Sequence, residues 1–575
     1  MRSAHPPCRA LLAVAPLVAL GSCTAPFEFD RNARAPLLEG YGAVSLTVTT
    51  EVPLAQQLFT LGLLQTYAFN DVEAARAYKA ALAADPRCAM CAWGVAKAAG
   101  PNINNLDRGD LGEARRYLAS ARGDGARSSA RERALIDALI ARYGPEPRPG
   151  AKAGPAAGPV AMPVAPICSA GSVEKADPLD IVYAERMRAL ADAYPDDADI
   201  LVLWAEAVMI ATRGDWWDRK TGGPAGDIAL VSERLERRLK TQPMHPGLNH
   251  FLIHALDSSR QPERALAAAD RLGAIAPQSP HLVHMPAHIY VRVGRYSDAV
   301  RVNEAAVAAQ ARENASIRAQ GFVPSNDWDG HNRHFLWFAA LTEGRGELAV
   351  EQSRAIAARA AKGKSASAEF MRGLPLLTLA RLERWNDVLA EPPPTGDAGI
   401  GAALADYASG LALVRAGQVD AARRRTATLQ ATLDGPLLRG KTLMGDDPAR
   451  NVIGILSRHL DGEIGVASGR ADLARDTVTA GADLEAALNA NEPPLLGSIS
   501  RVALGDLMRR AGRWADAEQA YRAELSTQPG NGWALAGLVH ALERQGKGDE
   551  AKRIREESER AWANADPAVK TLAAR

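Results

Sequence analysis

Eight of the chain's eleven histidines fall between positions 245 and 334: His245, His250, His254, His281, His284, His288, His331 and His334. Neutral imidazole is a ligand for zinc, copper, iron and nickel, and two imidazoles three or four residues apart on a helix can serve one ion. The spacings are four (His250 to His254), three and four (His281 to His284 to His288) and three (His331 to His334), so each set projects from one side of its helix. The bland alternative is a polar face on which histidines bond one another, backbone or water.

A second regularity joins these sets. An offset of 34 carries His250 to His284 and His254 to His288, and an offset of 50 carries His281 to His331 and His284 to His334. His250, His284 and His334 therefore form one row, His254 and His288 a second, His281 and His331 a third. These seven are the candidate metal ligands. His245, Asp257 and Glu206 are candidates to orient an imidazole or complete a coordination sphere. Copper or zinc leads the expected metals, with Met285 beside His284 a small pointer to copper.

The elements that must hold these residues follow from the same period. Of Gly62, Ala74, Tyr78, Ala81 and Pro86, all but Ala81 recur near the other end, as Gly505, Ala517, Tyr521 and Pro529; Ala551 lies 34 beyond Ala517, and Pro277 lies 34 beyond Pro243. Small residues let helices cross closely and a proline stops the second helix of each pair, so a pair hides its apolar stripe only by stacking on its neighbours. The pattern resembles the tetratricopeptide-repeat superfamily in patches, over residues 55–120, 245–360 and 497–555. That resemblance implies an all-α solenoid of stacked antiparallel helix pairs whose first helices line a concave groove, with the histidine rows in the groove. More narrowly, CAMCAWGVAKAAGPNIN (88–104), HPGLNHFLIHALDSS (245–259), HLVHMPAHIYVRVGRYSDA (281–299) and HNRHFLWFAA (331–340) resemble a group of exported, histidine-rich bacterial tetratricopeptide proteins. The resemblance carries no reaction with it. In that group an aromatic run follows Glu-Pro-Pro, which stands here at 492–494; this chain has Leu495-Leu496-Gly497-Ser498 instead.

Export is expected from the start of the chain. Arg2 and Arg9 precede an apolar run from Ala10 to Leu20, and Gly21 and Ser22 lead to Cys23, a lipobox-like order in which Cys23 would be lipidated. The expected divisions are a signal peptide at 1–22, amino-terminal repeats at 23–144, a Pro/Gly/Ala-rich linker at 145–173, central histidine-rich repeats at 174–360 and carboxy-terminal repeats at 361–575. The destination is the bacterial cell envelope, facing the periplasm, with the membrane touched only through the lipid. In an oxidising compartment Cys88 and Cys91 could close a disulfide, bind a soft metal or stay as thiols, the first or last being favoured; Cys168 has no assigned state.

A formal net charge of +1, from 68 basic and 67 acidic residues, leaves no basic footprint, so nucleic acid is excluded as the expected main partner. Gly-rich phosphate loops, Gly-x-Ser-x-Gly elbows and His-Glu-x-x-His motifs are absent. The Trp216-Trp217 pair between Asp215 and Asp218 reads as a packed cap more readily than a stacking platform. Asn102 and Asn104 read as helix caps or turn-bracing residues rather than ligand contacts, and His459 and His540 as packing or surface residues. Two functions remain. One is a metalloprotein, whether a copper or zinc oxidoreductase, a hydrolase or a metal carrier, with a small molecule or peptide in the groove. The other is a metal-free scaffold that holds a protein or peptide there.

Overall fold

The computed structural model describes residues 29–106, 111–144, 176–444, 447–488, 492–497 and 499–573. The signal peptide with Cys23, the linker at 145–173 and Cys168 lie outside the described residues. From Pro53 onward the chain is built of helices, and among the described residues the only extended pairings are three isolated bridges. Consecutive helices pack as pairs, giving the expected all-α solenoid of stacked antiparallel helix pairs. Among the described residues no helix is long and apolar enough to cross a membrane.

Local chemistry sets the helix ends. Proline occupies the first helical turn of Pro246–Asp257 and Pro280–His284, where its missing N–H costs nothing. Ser129 and Glu132 form a reciprocal capping box on Ala130–Tyr143. Gly344, at φ +83°, turns the chain out of Asp329–Glu343 in the left-handed region.

Packing between pairs explains the sequence period. The Tyr78 ring fills the space that side chains at Gly62 and Gly94 would occupy: a Cβ there would stand 2.7 and 2.3 Å from it. Tyr521 sits in the same way between Gly505 and Gly537, at 2.3 and 2.2 Å. Any larger residue at these glycines would force helices apart.

The superhelix curls until its end meets its middle. Trp533 Nε1 donates to Leu341 O at 2.8 Å, Trp562 Nε1 to Thr342 O at 3.1 Å, and Tyr296 OH to Gln528 Oε1 at 2.9 Å. A cleft of about 800 Å³ lies where the central and carboxy-terminal repeats face each other.

Candidate metal centre

Three helical stretches carry the histidines: Pro246–Asp257; Pro280–His284 continued by Pro286–Arg292; and Asp329–Glu343. Each is the first member of its helix pair, followed by Leu266–Ile275, Tyr296–Ala319 and Gly346–Arg359. The jump from an offset of 34 to one of 50 is taken up by the long Tyr296–Ala319 helix and the segment after it, which brings Trp328 over the site. The Trp328 ring stacks on His281 at 4.1 Å.

Six imidazoles gather into two triads, His250/His254/His281 and His284/His288/His331, with the ligand nitrogens of each triad within 4.8 Å of one another. The triads are the same construction one repeat apart. Each combines a pair four residues apart on one helix with a histidine from the start of the next. The triads are neighbours, with ring centroids 6.3 Å apart both from His254 to His288 and from His281 to His284. The run stops at both ends for a sequence reason. Gly247 stands where the first helix would need an equivalent of His281, and Phe338 stands where the third would need an equivalent of His288.

His334 is therefore not gathered in as the row geometry predicts. It stacks on Trp337 at 5.4 Å and belongs to neither triad. The open groove also needs correction. All seven histidines are buried, none more than 4% exposed. Aromatic rings cover them: Phe69 lies 4.7 Å from His250 and 5.1 Å from His281, and Phe335 lies 4.7 Å from His284 and 4.6 Å from His288.

Hydrogen bonds fix which nitrogens face the interior. His250 Nδ1 donates to Tyr67 O at 2.7 Å. His284 Nδ1 donates to Asn303 Oδ1 at 2.7 Å, and Asn303 is itself oriented by donating Nδ2 to Ala299 O. His288 Nδ1 donates to Asp257 Oδ2 at 3.1 Å and to Glu492 Oε2. Their Nε2 lone pairs then point inward: His284 Nε2 faces His288 Nε2 at 3.0 Å, and His250 Nε2 faces the Nε2 atoms of His254 at 3.0 Å and His281 at 3.1 Å. Two lone pairs at that distance repel unless a cation, either an added proton or a metal, lies between them. Ligand nitrogens ~2.0–2.1 Å from a tetrahedral ion sit roughly 3.3 Å apart, close to the spacing here. His281 Nδ1 and His331 Nε2 are buried with no hydrogen-bond partner.

Electrostatics keep the imidazoles of most of the site neutral. Burial, followed by the mutual repulsion of the imidazoles, holds His254, His281 and His331 well below the usual histidine range. Burial alone pushes His334 down to about 3, and burial also takes His250 to about 3 against the opposing bond to Tyr67 O. Neutral imidazole is the ligand form. Burial and the neighbouring Asp257 carboxylate raise Glu492 to about 7. Burial would raise Asp257 too, but the bond from His288 holds it below its usual value.

The remaining expected site residues have other partners. Asp257 meets His288. Glu206 is away from the cluster, ion-paired with buried Lys97 at 2.9 Å. His245 caps the Pro246–Asp257 helix, its Nδ1 accepting from Leu248 N at 3.2 Å, while Nε2 meets Asp199 at 3.1 Å. Ser279, 34 residues on, caps the next histidine helix in the same way. Met285 is a core residue. Cys88 and Cys91 are joined in a disulfide. Trp216 and Trp217 donate to Met209 O and Ala255 O and pack as a cap. Asn102 braces its turn, accepting from the Asn104 and Asn105 amides. His459 is buried against Tyr407.

Glu492 is the site residue that histidine spacing does not reveal, since 204 positions separate it from His288. Phe69 is another. It takes φ +52° at the turn position that Gly512 fills in the equivalent carboxy-terminal unit, a strained backbone for a bulky residue, and its ring covers the first triad.

Fold and site together define a helical-repeat protein with a buried polyhistidine centre. No family profile matches the sequence. No curated protein matches it either. Solved structures align along most of the chain at low identity. Human IFIT1, solved as a dimer with m7Gppp-AAAA, is 12% identical over 89% of this chain and 91% of its own, with a TM-score of 0.30. The Cut9–Hcn1 hetero-tetramer of the APC/C is 13% identical over 91% and 76%, with a TM-score of 0.25. The TPR domain of P58(IPK) is 11% identical over 88% and 99%, with a TM-score of 0.23.

Proposed function

We propose that this protein holds two transition-metal ions side by side, copper or zinc, one in each histidine triad. The observation that carries the reading is the facing pair of Nε2 atoms at 3.0 Å in His284 and His288, each with its Nδ1 already committed to an acceptor. With both Nδ1 atoms donating, a cation between the rings relieves the repulsion of the two Nε2 lone pairs. A buried carboxylate on the far nitrogen of a ligating imidazole is the usual support for such a ligand. Three imidazoles in each triad would hold an ion that could supply Lewis-acid chemistry to a bound water or substrate, or electron transfer if it is copper.

The test is metal content after expression with copper or zinc and exhaustive dialysis. Two ions per chain are expected. His284→Ala should lose at least one and His459→Ala should keep both. A wild-type chain that retains neither metal at neutral pH overturns the reading in favour of a metal-free scaffold for a protein or peptide.

The reading extends to location, as a lipid-anchored protein of the cell envelope. The Cys88–Cys91 disulfide supports an oxidising compartment. Cys23→Ser should move the protein from the membrane fraction to the soluble one, and unchanged partition would count against the anchor.

A further inference from the structure

The cleft of about 800 Å³ and the histidine centre share a wall. Phe335 and Glu492 both line the cleft. Phe335 packs on His284, His288 and His331, and Glu492 accepts from His288 Nδ1. One layer of side chains therefore separates the second triad from a solvent-connected space large enough for a small organic molecule.

Four guanidiniums line that space from four different segments, and each spends only one of its five donors. Arg219 donates to Leu488 O at 3.0 Å, Arg260 to Lys220 O at 2.6 Å, Arg292 to Ser259 O at 3.2 Å and Arg501 to Thr527 Oγ1 at 3.1 Å. Among the described residues no carboxylate lies within ion-pair distance of any of them, although arginines elsewhere in this chain are commonly paired. The acidic residues of the same walls are turned to other donors. Asp218 accepts from the Lys220 and Thr221 amides, and Glu485 from those of Ile499 and Ser500. Glu524 accepts from Asn531 Nδ2, and burial raises it to about 8, so it carries little charge at neutral pH. Two further acidic residues line the cleft, the exposed Glu263 and the buried Asp447, and neither lies within ion-pair distance of these arginines.

We infer that the cleft is the substrate pocket of the metal centre and takes a small organic oxyanion, a carboxylate or a phosphate ester, held by these arginines with its reacting end against Phe335 and Glu492. The metal side of this assignment rests on the function proposed above. Guanidinium matches both oxyanions because its planar fork offers paired donors.

The test uses the full chain, metal-free and cobalt-loaded, titrated with phthalate, phenyl phosphate and the uncharged dimethyl phthalate. At least one anion should bind both forms, more weakly as salt is raised, and the neutral ester should not. The tighter anion identifies the headgroup. Arg260→Gln/Arg292→Gln, which alters side chains exposed on the surface, should weaken binding about tenfold, with Arg501→Gln as an independent second variant. On the cobalt form the bound anion should shift the visible bands. Equal binding of the neutral ester, no anion binding, or arginine variants that bind like wild type overturns the assignment. So does an anion that binds without moving the cobalt bands, because the cleft would not then serve the metals. Failure of cobalt to load counts against the metal centre alone, and titration of the metal-free chain still decides the cleft.

Discussion

Around Tyr78 and Tyr521 the space between neighbouring helix pairs is filled by one aromatic ring wedged against two glycines, whereas between the central repeats it is filled by imidazoles. The helices are stacked alike in both regions. In the terminal repeats the filling gains from burial and close fit, and it is complete as it stands. In the central repeats the filling leaves nitrogen atoms buried without partners and Nε2 atoms facing one another, an arrangement that costs stability as it stands. The ends of the solenoid are thus packed for stability alone, whereas its middle carries buried polar groups at a cost in stability, as sites kept for function commonly do.

Acid should produce the largest contrast. The central histidines have folded values depressed below the unfolded value of about 6.5, down to about 3 for His250 and His334. Between those limits the unfolded chain binds protons that the folded chain refuses. Stability of the metal-free protein is therefore full above about 6.5 and falls by several kcal/mol as pH drops through that window. Urea midpoints measured across it would check this, and a flat profile would break the distinction between regions.

Next in size is Gly537→Val, which drives a side chain into Tyr521 and should cost about 3 kcal/mol. Its melting temperature should fall while metal content per folded chain stays at the wild-type level. Equal loss of metal would show that the ends do more than support.

Smaller, and opposite in sign, is His281→Phe. It removes the buried Nδ1 that has no partner. The metal-free protein should gain about 1 kcal/mol in denaturant unfolding, and the loaded protein should hold one ion fewer. A variant less stable than wild type without metal would refute the idea that the centre is a burden when empty.

The smallest stability effect is expected at Phe69→Gly. Relief of about 1 kcal/mol of left-handed strain is offset by lost packing on His250 and His281. The informative readout is kinetic: a chelator should strip the first triad several-fold faster, and an unchanged rate would mean that Phe69 is not its cover.

Much of this was legible in the sequence, for reasons that can be separated. Helical spacing fixes the direction in which a side chain projects, so the pairs His250/His254 and His284/His288 and their relation across one repeat follow from position alone. Spacing says nothing about depth, which is why the centre reads as an open groove until Phe69, Trp328 and Phe335 are seen to close over it. Nor does it distinguish a ligand from a cap. His245 belongs to the second kind, and the serine that replaces it at position 279 was the available clue. Glu492 depends on the superhelix closing on itself, a long-range event that no local pattern encodes. Glu206 has the right chemistry, but Lys97 on a neighbouring repeat takes it first.

The way each triad borrows its third histidine from the following helix has a consequence for how such a centre could grow. Sites occupy the gaps between histidine helices, as panels occupy the gaps between posts, so three helices make two sites and a lone copy makes none. A fresh duplication of the unit from His250 to Val283 would lengthen the row by one ion without redesigning any existing ligand. Loss of one unit would cost one ion and leave a complete site behind. On the proposed function, nuclearity would be a matter of copy number, with Gly247 and Phe338 as the end stops that set it at two.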